Sequence, residues 1–109
     1  MLNQVVLVGR LTSDVKVEKN ESEKEFCKFV IATPRSFKNK DGEYETDFIP
    51  IIAIGGIAEN TAEYCKKGDL IGIRGRIQTI VNEDKQSIEI IAEKITFLSS
   101  KRVDNNDWK

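Results

Sequence analysis

Apolar and polar residues alternate in short runs along most of this chain, the period of strands that bury one face. Val5 to Leu11 is rich in β-forming residues and closes on Gly9-Arg10 and Leu11. Asp14 to Val17 continues the pattern after a bend at Thr12 and Ser13, so the first strand is predicted to be long and kinked. The charged run KNESEK, Lys19 to Lys24, separates it from a second strand over Phe26 to Thr33, where Cys27, Phe29 and Ile31 share one face. Pro34 is expected to end that strand. A polar connection with a turn at Lys40-Asp41-Gly42 leads to a third strand, Tyr44 to Ile54, in which Pro50 lacks a ladder donor and predicts an edge or a bulge.

Gly55-Gly56 breaks the alternation. IAENTAEYCKK then places Ile57, Ala58, Ala62 and Cys65 at helical spacing, with Lys66 and Lys67 suited to a C-terminal dipole and Gly68 to the position just past the end. LIGIRGRI, Leu70 to Ile77, returns to period two: Ile71, Ile73, Gly75 and Ile77 lie on one side, and Gly72, Arg74 and Arg76 on the other. After a polar tip at Asn82-Glu83-Asp84, SIEIIAEKITFL supplies a last strand. Five strands, a single short helix between strands three and four and no βα alternation predict an all-β fold, a Greek-key barrel with the element order of an OB-fold. No repeat or low-complexity linker interrupts it. The division expected is a barrel domain over residues 1–98 and a short polar tail over 99–109.

With 109 residues and 39% apolar composition, the chain has material for one core. Its net charge of -1 and pI of about 5.5 argue against a partner held by bulk charge, so any polyanion must be held by a local patch. Histidine is absent, which removes the commonest general base and metal ligand. Cys27 and Cys65 lack CxxC spacing and sit among apolar residues, the setting of buried free thiols. The apolar run in MLNQVVLVGRL is too short to span a bilayer and no basic region precedes it, so a cytoplasmic location and no membrane partner are expected. There is no Gly-rich phosphate loop, no metal cluster and no nucleophile–base pair at a readable spacing; the sequence predicts neither an enzyme nor a cofactor site.

The most informative stretch is PRSFKNKDGEYETDFI, Pro34 to Ile49. It sets Phe37, Tyr44 and Phe48 among Arg35, Lys38 and Lys40 in and around a polar connection. Rings next to cations are what a binder of unpaired bases needs, because bases stack on the rings while cations meet phosphates. Each residue also has a plainer reading. Phe48 in a β run suits a core position, Tyr44 a cross-strand packer, and the cations a solvated loop.

Five stretches, in order and in register, carry a resemblance to a known family: NQVVLVGRL, FVIATPRSF, ETDFI, the AEN…Y…KGD helix and exit, and IRGRIQT. Together they cover Met1 to about Leu98, and they resemble the bacterial and phage single-stranded DNA-binding proteins. The resemblance implies sequence-independent binding and protection of single-stranded DNA in replication, recombination or repair. It puts Phe37 and Phe48 at stacking positions; Tyr44 suits either a rim ring or a cross-strand packer. Arg74 and Arg76 resemble the family's basic surface of strand four and Arg10 a basic position that equally suits an ion pair, while Arg35, Lys38 and Lys40 are candidate phosphate contacts because they interleave with Phe37. It further implies a homotetramer, or failing that a dimer, built on the first strand with its Val5, Val6, Leu7 and Val8.

Several departures accompany the resemblance. Ile54-Gly55-Gly56-Ile57 stands where the family usually carries an aromatic or a basic cluster, Ile80, Val81 and Asn82 with Glu83 and Asp84 where it adds a ring and cations, and Pro50 where a cation is common. A shorter or weaker footprint follows. The alternative is an OB-fold protein-interaction or assembly module with weakened or lost DNA binding, using Ile54, Ile57 and Ile80 as contacts. At the C-terminus, typical members run through a flexible linker to an acidic Pro-Phe tip that recruits partners. Here VDNNDWK, with Asp104, Asp107 and Trp108, is expected to be a frayed end without a docking role, or else a remnant of that tip. A small divergent member of this kind would suit a phage or mobile element.

Overall fold

A computed structural model describes residues 1–100; the tail with VDNNDWK lies outside the described residues. The alternating runs become β1 (Val5–Leu11), β2 (Glu18–Lys19), β3 (Glu25–Lys38), β4 (Tyr44–Ile54), β5 (Leu70–Asn82) and β6 (Lys85–Ser99), with the helix α1 (Gly56–Tyr64) between β4 and β5. Hydrogen-bonded neighbours run β1-β5-β6-β4-β3. β3 then returns to β1 through Arg10↔Ala32 and Leu11↔Ile31, which closes five strands into the expected barrel. β2 is a two-residue addition to the edge of β3. All pairings are antiparallel except β4 with β6, where Ile51↔Ile90 and Ile52↔Ile91 run parallel.

The core is the inward face of these strands: Leu11, Cys27, Phe29, Ile31, Ile51, Ala53, Ile71, Ile73 and Ile90, capped at one end by Ala58 of α1. Each large aliphatic side chain taken out of water there contributes roughly 1.5–3 kcal/mol. Closure of so small a barrel demands bends. β6 supplies two, since Leu70↔Ser99 is followed by Ile71↔Phe97 and Arg74↔Lys94 by Gly75↔Ala92, leaving Leu98 and Glu93 as extra residues. At the second bend a Cβ on Gly75 would stand 2.2 Å from the carbonyl oxygen of Ile91, so the strands meet only because residue 75 has no side chain.

Some expectations are corrected. Asp14–Val17 does not continue the first strand. Thr12 donates its N–H to Val30 O (3.2 Å), Val15 buries itself in the core, and Asp14 Oδ1 accepts the N–H of Lys67 (2.8 Å), so the chain folds under the barrel end instead. Pro34 does not end the second strand: β3 runs on to Lys38, with Pro34 opposite Thr46 and a register shift after it. Pairing to β1 stops at Ala32, so Pro34 sits where one edge of β3 is already open and a missing N–H is tolerated. The edge expected at Pro50 is present without a bulge, because pairing of β4 to β6 begins only at Ile51. α1 ends at Tyr64, leaving Lys66 and Lys67 outside its last turn. Gly68, at φ +90°, instead forms the turn that sends its N–H to Leu11 O (2.8 Å). β5 extends beyond Ile77 to Asn82, and a tight turn with Glu83 and Asp84 both at positive φ joins it to β6.

Candidate nucleic-acid interface

Two β ribbons leave the barrel, and the first carries the predicted rings. Beyond the pair Ala32↔Phe48, β3 and β4 continue without a third strand to a turn built by Asn39. Its Oδ1 accepts the N–H groups of Asp41 (2.9 Å) and Glu43 (3.0 Å), and Gly42 takes φ +78°. A two-stranded ribbon has no core to hide rings in. Phe37, Tyr44 and Phe48 are 65%, 58% and 66% exposed, against 4% for Phe29 on the inward face of β3. Phe48 is therefore no core residue.

Register sorts the ribbon into two faces. Tyr44, Thr46 and Phe48 alternate onto one, where Lys38 lies opposite Tyr44 with its ammonium 5.7 Å from the ring centroid. Arg35 is claimed elsewhere. Its guanidinium donates to Asp47 Oδ1 (2.9 Å) and to Glu45 Oε1 (3.1 Å), a fork that ties the ribbon's two strands together. The hydrogen bond from Arg35 holds the Asp47 carboxyl below the usual carboxylate range, and Asp47 in turn raises Arg35. Lys40 is exposed in the turn. Arg10, by contrast, is half-buried and donates to Gly68 O (2.9 Å), which makes it a brace of the β1–β5 connection as well as a surface cation.

Arg74 and Arg76 share one side of β5 but meet different surroundings. Arg74 stands in a row between Val6 of β1 and Lys94 of β6, in an open groove of about 270 Å³ lined by Val6, Val8 and Leu98. Arg76 is next to Ile91, with Glu93 Oε2 3.4 Å from its guanidinium. The isoleucines singled out in the sequence also separate. Ile54 is exposed on the outer face of β4, Ile80 is half-buried on the distant β5–β6 ribbon, and Ile57 packs against the core, so they form no common contact surface. Sequence reasoning passed over Lys28 and Lys94. The signal for Lys28 was available, since buried Cys27 and Phe29 turn it outward.

Cys27 and Cys65 are buried free thiols, and burial pushes Cys27 up to about 11. Among the described residues no helix is long and apolar enough to cross a membrane.

Known proteins resemble this chain in sequence and in fold. The model of the single-strand binding protein family matches residues 2–98. Single-stranded DNA-binding protein 1 of Staphylococcus aureus (strain MSSA476) is 41% identical over 111 residues, covering 97% of this chain and 71% of that one. Single-stranded DNA-binding protein B of Bacillus subtilis (strain 168) is 40% identical over 106 residues, covering 93% and 94%. In structure, the wild-type single-stranded DNA binding protein from Thermus aquaticus superposes with a TM-score of 0.80 at 24% identity over 93% of this chain; the chain spans 52% of that protein's length.

Proposed function

Because the chain belongs to the single-strand binding protein family, we propose that it binds and protects single-stranded DNA without regard to base sequence, in replication, recombination or repair. The observation that carries this reading is the set of three solvent-facing rings on a ribbon that has no core of its own. Unpaired bases stack on Phe37, Phe48 and Tyr44, each stack contributing roughly 1–3 kcal/mol. Lys38, Lys40, Arg76 and Arg74 meet phosphates; Arg35 does so only by sharing its fork with Asp47 and Glu45, and Arg10 from its place against Gly68. A duplex keeps its base faces stacked and offers the rings nothing. The protein works without a cofactor and without catalysis, as a coat on the strand, in the cytoplasm.

The chain assembles as a homotetramer or a dimer through β1. In support, Val5–Gly9 pair with β5 on one edge only, and exposed Val6 and Val8 border the groove beside it. The reading as a protein-interaction module without DNA is not favoured, because Ile57 packs against the core and Ile54 and Ile80 lie on separate parts of the surface.

Anisotropy of a labelled oligo-dT strand and of a labelled duplex, each titrated with the protein, tests the function. Tight binding of the single strand and weak binding of the duplex is the expected result; equal affinity for the two overturns it.

A further inference from the structure

The register of the first ribbon lapses where Phe37 stands. Pro34 lies opposite Thr46 and the next pair is Lys38 with Tyr44, so three residues of β3, Arg35, Ser36 and Phe37, face Glu45 alone on β4. A bulge of this kind interrupts the backbone ladder and leaves its extra residues unpaired. Pro34, at its start, has no N–H to donate. The Phe37 ring is mostly exposed, so no core contact fixes it either. Its direction is set by whatever ties the two strands on each side of the bulge.

Two ties flank it. Beyond Phe37, Lys38 pairs with Tyr44 and holds its ammonium over that ring. Before it, the Arg35 guanidinium closes on β4: Nε donates to both Asp47 oxygens (3.2 Å each), Nη2 to Asp47 Oδ1 (2.9 Å) and Nη1 to Glu45 Oε1 (3.1 Å). Asp47 and Glu45 stand on either side of Thr46, on the face away from Phe48, so the fork spans the stretch of β4 that the bulge leaves without a regular ladder. A planar guanidinium held at three nitrogens fixes a direction, which a single ammonium does not. Isolated surface ion pairs contribute little, but a bidentate pair within a network of charges is the exception.

The balance of charge on the ribbon agrees. From Thr33 to Phe48 it carries Arg35, Lys38 and Lys40 against Asp41, Glu43, Glu45 and Asp47, a surplus of acid where a polyanion is to be met. Two of these carboxylates are accounted for if they work on Arg35 and not on the strand. Asp47 titrates below and Arg35 above its ordinary value, in keeping with a bond already made in the free protein.

We propose that Arg35, Asp47 and Glu45 form a clasp that positions Phe37: they act on the strand through the ring, which they hold in place before a base arrives. This rests on the single-strand reading above and narrows the part of Arg35 within it from phosphate contact to positioning. A ring already in place loses less freedom on binding, and that preorganisation is read as affinity.

The test is anisotropy of labelled oligo-dT titrated with the parent, Arg35→Ala, Phe37→Ala and the double variant, with Asp47→Asn and Glu43→Gln alongside, all well below the melting midpoints that circular dichroism gives. Arg35→Ala and Asp47→Asn should each weaken binding by about 2- to 12-fold, the cost of immobilising one side chain on binding. In the Phe37→Ala background, Arg35→Ala should add no further loss, because the ring through which it acts is gone. Glu43→Gln takes an acid from the same ribbon without touching the fork, and should bind as the parent does or more tightly. Losses of Arg35→Ala and Phe37→Ala that simply add overturn the proposal, since Arg35 then meets the strand itself. Unchanged or tighter binding by Asp47→Asn, the mark of a guanidinium released to a phosphate, overturns it too, as does an equal loss in Glu43→Gln. Each of these outcomes leaves single-strand binding by the parent intact; failure of the parent to bind oligo-dT strikes the functional reading instead.

Discussion

Truncating Phe48 to alanine separates binding from folding, because the ring is about two-thirds exposed while that of Phe29 is almost wholly buried. Complete burial of a phenylalanine is worth roughly 1.5–3 kcal/mol, so the third of Phe48 in contact with the sheet contributes about 0.5–1 kcal/mol to stability. At roughly 4–8 °C per kcal/mol for a domain near this size, Phe48→Ala should lower the midpoint by only a few degrees. Phe29→Ala removes a core ring and should cost about 3–5 kcal/mol, a fall several times larger. On the binding side the order reverses. Loss of one stacking contact costs roughly 1–3 kcal/mol, or about 5- to 150-fold in Kd for oligo-dT, and Phe37→Ala should behave in the same way. Melting by calorimetry and anisotropy titration on the same preparations read both quantities. The stacking assignment is refuted if Phe48→Ala binds like the parent, or if it melts as early as Phe29→Ala.

Gly75→Ala places a Cβ against the carbonyl oxygen of Ile91, where backbone rather than a side chain would have to move, and should destabilise by about 1–3 kcal/mol or more; an unchanged denaturant midpoint would refute the close approach. Asp47 titrates below its ordinary value because Arg35 bonds its charged form, so its contribution to stability is present above about pH 3.8 and is lost as pH falls through the lower folded value. The melting points of the parent and Asp47→Asn should therefore converge below that pH, and a gap that persists in acid contradicts the ion pair. Cys27, buried and with its thiol raised to about 11, should react with a thiol reagent only on unfolding, and labelling of the native protein at neutral pH would contradict that burial. Light scattering at micromolar concentration should give two or four times the mass of one chain; the mass of a single chain contradicts assembly through β1.

Local pattern determined a great deal about this protein. The period-two runs located all five long strands, the helical spacing after Gly55-Gly56 located α1, and the rings among cations at Phe37, Tyr44 and Phe48 marked a stretch whose rings face solvent. These are short-range properties: a strand's buried face is written in its own alternation, and a ring next to Lys, Glu or Asp declares its setting within a few residues. Tertiary structure decided whatever depends on residues far apart in sequence. Asp14–Val17 reads as strand but closes the barrel end, because Lys67 and the core claim Asp14 and Val15. Pro34 reads as a stop but lies within β3, because only the absence of β1 alongside makes its missing N–H harmless. Arg35 reads like the other loop cations until register sets Asp47 and Glu45 against it, and Ile57 reads as surface until the helix packs it inward. Lys28 and Arg76 are 48 positions apart in the chain. Only the pairing of four strands, Lys28 with Ile52, Ile52 with Ile91 and Ile91 with Arg76, lays them across one surface, since a β-sheet assembles its surface from residues that are neighbours in space and not in sequence.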